Sequence, residues 1–107
     1  MNVKSQNAII KALSAMPHSL RMIGAVKVVI NNKNIDISFD GRKCIGRVRL
    51  ELQDNKYIVY FMKKEGDVLV PTTAGAYMAI NDVAEAKLFV KWYEITIKLA
   101  AMKRPRK

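Results

Sequence analysis

Lys43-Cys44-Ile45-Gly46-Arg47-Val48-Arg49-Leu50-Glu51-Leu52 alternates without a break. In an extended chain Cys44, Gly46, Val48, Leu50 and Leu52 share one face, and Lys43, Ile45, Arg47, Arg49 and Glu51 share the other. One apolar and one charged face at a period of two predicts a strand that covers a core on one side only.

The flanking stretches extend the pattern. Before it, Ile35, Ile37 and Phe39 alternate with Asp36 and Ser38, and Asp40-Gly41 is a hairpin signal between the two runs. After it, Asp54-Asn55 marks a turn. Residues 57–63 are then apolar on both faces, with Tyr57, Val59 and Phe61 on one and Ile58, Tyr60 and Met62 on the other. Such a strand belongs inside a sheet rather than at its edge. Glu65-Gly66-Asp67 turns the chain into a short strand, Val68 to Val70. Upstream, residues 21–30 are rich in Val and Ile and predict a first strand, joined on by Asn31-Asn32-Lys33-Asn34.

Helices close both ends. Ser5 caps a helix over 5–16 whose stripe is Ala8, Ile9, Ala12, Leu13 and Met16, and Pro17 stops it. Residues 71–80, with Pro71 and Gly75, read as a loop. A long helix runs from Asn81 to Met102, opened by the acidic capping box of Asp82 and Glu85. The expected fold is α+β: a short N-terminal helix, an antiparallel sheet of about five strands and a long C-terminal helix. It forms one domain, 1–102, with a basic tail, 103–107.

Half of the 107 residues are hydrophobic, enough for a core without metal, cofactor or disulfide. Nineteen Lys and Arg oppose nine Asp and Glu, a net charge of +10. That excess attracts polyanions, nucleic acid foremost, because neutralised phosphates release counterions. The single cysteine, Cys44, predicts a reducing compartment, the cytoplasm or a nucleus. No membrane span or leader pattern is expected.

Four features could carry function. Arg47 and Arg49 point the same way, with Lys43 at the strand's start and Lys27 on the same face if the first strand joins the sheet. Arginine's planar fork suits phosphate. The competing reading is a solvated face with cross-strand ion pairs, Arg49 to Asp36 for example. Tyr57, Tyr60 and Phe61 follow across a turn, with Lys63 behind them, and an exposed ring there would stack bases. On the long helix, Lys87, Lys91, Glu94 and Lys98 form a narrow polar stripe. Val83, Ala86, Val90, Tyr93 and Ile97 lie to one side, and Leu88, Trp92, Ile95, Leu99 and Met102 to the other. A helix on a single sheet needs an apolar stripe of only ~100°. Leu88, Trp92, Ile95 and Leu99 therefore predict a homodimer contact, with the N-terminal helix as the competing cover. Finally, Lys103, Arg104, Arg106 and Lys107 offer non-specific phosphate contacts.

Catalytic parts are missing. His18 is a lone loop histidine, Cys44 lies on an apolar face, no Cys–His set has metal spacing, and the glycines are scattered. The expectation is a non-enzymatic binder of single-stranded nucleic acid, DNA in preference, with little sequence specificity. The alternatives are a protein that docks on and regulates an acidic partner, and a small basic ribonuclease.

From residue 43 onward the chain resembles the positive-cofactor-four (Whirly-type) single-stranded-DNA-binding module. That module runs strand, turn, strand, turn, a strand with a proline and a glycine, then a capped helix carrying a tryptophan. The counterparts are Lys43–Leu52, Tyr57–Lys64, Val68–Ile80 and Asn81–Met102, with Pro71, Gly75, Ile80 and Trp92 in order. The resemblance implies a dimer gripping a single strand. The family carries basic residues between the proline and the glycine, where this chain has Thr72, Thr73 and Ala74. Residues 1–40 have no counterpart.

Overall fold

The alternating stretch forms the middle strand of a five-stranded antiparallel sheet. The computed structural model describes residues 3–31 and 33–102. In chain order the elements are α1 (Val3–Ser14), α2 (His18–Ile23), β1 (Gly24–Ile30), β2 (Asn34–Gly41), β3 (Ile45–Gln53), β4 (Lys56–Glu65), β5 (Val68–Ile80) and α3 (Val83–Met102). Each strand pairs with the next in sequence, so the sheet is a simple meander.

The strand alternation directs one face to the helices. Ile35, Ile37 and Phe39 of β2, Val48 and Leu50 of β3, Tyr57 and Val59 of β4 and Ile80 of β5 are buried with Ile9, Leu13, Leu20, Ala86, Phe89, Tyr93 and Ile97. The core is thus one layer of helix on one face of sheet. Among the described residues no helix is long and apolar enough to cross a membrane.

Turn chemistry sets the hairpins. Asp54 and Asn55 both have positive φ, 50° and 64°, as a two-residue turn of the type favoured by the twist of flanking strands requires. Gly66, at φ 64°, serves the β4–β5 hairpin. At the start of α3 the capping box closes: the Glu85 amide donates to Asp82 Oδ1 at 2.8 Å, and the Glu85 carboxylate accepts from the Asn81 amide at 2.9 Å.

The structure corrects four expectations. Residues 71–80 are not a loop but the second part of β5. Proline is tolerated because β5 is an edge strand, with no neighbour needing the missing N–H. Gly75, at φ 73°, absorbs an irregularity in register. Second, the N-terminal helix ends at Ser14, and a separate helix, α2, occupies the first residues assigned to a strand. His18 opens that helix rather than sitting in a loop. Third, β3 starts at Ile45, so Lys43 belongs to the β2–β3 turn. Fourth, Gly41 does not occupy that turn's centre. It ends β2, and its amide donates to the Cys44 carbonyl at 3.0 Å. Gly41 is needed because the Phe39 ring lies over it and over its cross-strand partner Gly24. A Cβ at Gly41 would fall 2.6 Å from that ring.

The candidate nucleic-acid interface

Because the helices all pack on one face, the other face of the sheet is open, and register decides which side chains meet there. Lys27 lies opposite Ser38, and Ser38 opposite Arg47. One row on, Val29, Asp36, Arg49, Tyr60 and Ala76 line up across all five strands. The structure therefore brings together Lys27, Arg47, Arg49 and Tyr60.

The two arginines differ in their bonding. Arg47 has both terminal amino groups engaged: Nη1 donates to the Phe39 and Gly46 carbonyls at 3.1 and 2.9 Å, and Nη2 to Asp40 at 2.6 Å. It ties down the end of the β2–β3 hairpin. Arg49 donates only its Nε, to Asp36 at 2.7 Å. Its two terminal amino groups have no partner among the described residues. The cross-strand pair of Arg49 with Asp36 is thus present, and it holds the guanidinium in place while leaving a donor fork unused. Asp36 and Asp40 also neutralise much of the local charge.

Tyr60 is half-buried beside Arg49, and its hydroxyl accepts from Gln53 at 3.2 Å. The other two rings of that stretch are placed elsewhere. Tyr57 is buried in the core, and Phe61 packs on Trp92 and Tyr77 at centroid distances of 5.6 and 5.1 Å. Lys43 is in the β2–β3 turn, off the open face. Lys63 is exposed, 4.0 Å from Glu65 in the β4–β5 hairpin, and outside the Arg49 row. Lys103, Arg104, Arg106 and Lys107 lie outside the described residues.

On α3 the C-terminal half of the polar stripe, Glu94 and Lys98, is anchored. The Ser19 hydroxyl of α2 donates to the Glu94 carboxylate, and Lys98 pairs with Glu94 at 2.9 Å. These two partners, the hydroxyl first, hold the Glu94 carboxyl below its ordinary pKa. The side expected to be left over is indeed open at three positions: Leu88, Ile95 and Leu99 are 66%, 51% and 57% exposed. Trp92 is different. It stacks on Tyr77 at 4.7 Å and on Phe61, so it belongs to the fold of the single chain. Tyr77 was missed from sequence. The β4–β5 register shifts where Val59 faces Met78 and Tyr60 faces Ala76, making Tyr77 the extra residue of a bulge that turns its ring toward α3.

Tyr93 carries the one buried side-chain polar atom without a partner among the described residues. Burial pushes its phenol up to about 12, although the nearby Arg47 charge acts in the opposite direction. The hydroxyl fits only because residue 46 is glycine. A Cβ there would stand 2.5 Å from Tyr93 Oη.

No family model, curated protein or solved structure matches the chain.

Proposed function

We propose that this chain binds single-stranded nucleic acid on the open face of its sheet, with little sequence preference. The observation that carries the reading is the Asp36–Arg49–Tyr60 row. It offers a guanidinium fixed through Nε, with two unpartnered amino groups, next to a half-buried phenol ring. A phosphate fits the amino fork, and a base stacks on Tyr60 at a gain of ~1–3 kcal/mol. Lys27 adds a second cation across the sheet. The +10 charge supplies long-range attraction to the strand.

The open side of α3 supports a homodimer. Leu88, Ile95 and Leu99, with Met102, form an apolar seam along a 20-residue helix. Leaving such a seam in water is unfavourable, and a two-fold helix pair buries it against itself. Trp92 contributes from within its own chain rather than across the contact.

Titration with a labelled single-stranded oligonucleotide at two salt concentrations tests the reading. Affinity should fall with a log–log slope of about −0.7 per phosphate neutralised. Absence of binding at ~50 mM salt, where this attraction is strong, would defeat it and favour docking on an acidic protein.

A further inference from the structure

The β2–β3 turn, α2 and the end of α3 enclose a cavity of about 670 Å³ that lies apart from the Arg49 row. The volume falls within the roughly 300–1,000 Å³ of small-molecule sites. Phe39 lines it, its ring laid over Gly24 and Gly41, where any Cβ would collide with it. Met22 and Ile23 of α2 and Ala101 and Met102 of α3 supply apolar walls. Met22 and Met102 are among the most exposed large apolar side chains of the chain, open to whatever enters.

The charged lining has one sign. Arg42, Lys43 and Lys98 line the cavity, and no carboxylate does among the described residues. Lys98 is already paired with Glu94. Arg42 and Lys43 are exposed and have no ion pair among the described residues, so two free cations stand at the rim of an apolar bowl.

We infer that this cavity binds a single-chain aliphatic carboxylate. The hydrocarbon chain lies against Met22, Ile23 and Met102, all exposed, over a floor closed from beneath by the buried Phe39, and the head group meets Arg42 and Lys43. The chemistry discriminates among occupants. A nucleic-acid strand carries a charge at every residue and has no tail for apolar walls. A neutral hydrophobe leaves the cations unmatched. Residues 103–107 carry four positive charges, the sign of the rim itself, and no long apolar side chain. An amphipathic anion matches both parts, since apolar walls with a few convergent polar groups are the usual makeup of a ligand site.

Cys44, the chain's one cysteine, also lines the cavity and reports on its occupancy. Its alkylation by neutral iodoacetamide should be slowed saturably by decanoate, with one decanoate bound per chain by calorimetry. Decanol, with the same chain and no charge, should bind about tenfold more weakly, the worth of one hydrogen bond to a charged group. Arg42→Gln with Lys43→Gln should bring decanoate down to the level of decanol while the melting temperature holds, both side chains being exposed turn positions. Ala101→Trp should fill the cavity and abolish protection of Cys44. The inference is overturned if decanoate and decanol bind equally, if protection survives Ala101→Trp, or if decanoate gives no protection at about 1 mM, the weak end of useful affinity.

Discussion

Replacing Gly46 by alanine puts a methyl group 2.5 Å from Tyr93 Oη and 3.0 Å from Ile97 Cδ1. Overpacking of this kind costs ~1–3 kcal/mol. Alanine recovers about 0.5–1 kcal/mol through lower backbone entropy, so a net loss of about 1–2 kcal/mol is expected. Tyr93→Phe removes the clashing oxygen, which is also a buried hydroxyl without a partner. An unsatisfied polar group costs ~1–3 kcal/mol, so this variant should be neutral to about 1 kcal/mol more stable than the parent. In the double variant the closest neighbour is Ile97 Cδ1, and the Tyr93 ring carbon lies farther, at 3.5 Å. Gly46→Ala should then cost at least about 1 kcal/mol less than in the parent, a clear departure from additivity for residues in contact. Urea unfolding followed by Trp92 fluorescence gives all four corners of the cycle. Additive costs, or a loss above about 1 kcal/mol for Tyr93→Phe alone, would show that the hydroxyl has a partner and that Gly46 is not there to clear it. The same pair predicts alkaline behaviour. The folded chain holds the Tyr93 proton up to about 12, whereas an unfolded tyrosine releases it near 10.0. Stability from this group is full below pH 10 and declines as pH rises through about 12, a slope that Tyr93→Phe lacks.

Arg49→Ala should weaken oligonucleotide binding by about tenfold, as for loss of one charge-assisted contact, and more than Arg47→Ala does, because Arg47 is committed to Asp40 and two carbonyls; filter binding with melting controls ranks the two. Leu99→Lys should give a ~12 kDa species in sedimentation if the α3 seam joins two copies, while the fold survives; a parent already at 12.1 kDa would refute the dimer. Ser19→Ala should raise the Glu94 pKa toward its ordinary value, read by NMR titration. Since that carboxyl is depressed in the folded chain, its contribution is present above about pH 4.5 and is lost as pH falls through the lower folded value, so the variant should lose less on acidification.

Much of the sheet was legible because its physics is local. Period-two alternation in 43–52 and paired turn residues at Asp54-Asn55 specify a strand and a hairpin without reference to anything distant. The misreadings came where context decides. Pro71 and Gly75 look like loop residues until β5 is known to be an edge. Asp40-Gly41 marks the right hairpin, but Gly41 is there for the Phe39 ring, a contact that no spacing encodes. The open face was legible in part. Alternation put Arg47 and Arg49 together, and the ion pair with Asp36 stood as the competing reading. It could not say that the terminal amino groups of Arg47 would be bonded and those of Arg49 left open, which depends on backbone carbonyls. The cavity was invisible, since α2, the β2–β3 turn and the last turn of α3 are far apart in sequence.

The meander has a kinetic consequence. Every strand partners its successor across a connection of a few residues, so the sheet can zip from one hairpin to the next with little loop entropy to overcome. Joining α1 to α3 is another matter, since it closes nearly the whole chain and must await a formed sheet to pack on. The meander is therefore expected to order before the α1–α3 contact, so that truncations in β2 and β3 slow folding whereas truncations at the α1–α3 contact mainly speed unfolding. Until α3 packs, the apolar face of the sheet is left open to its surroundings, the condition in which partly folded chains associate.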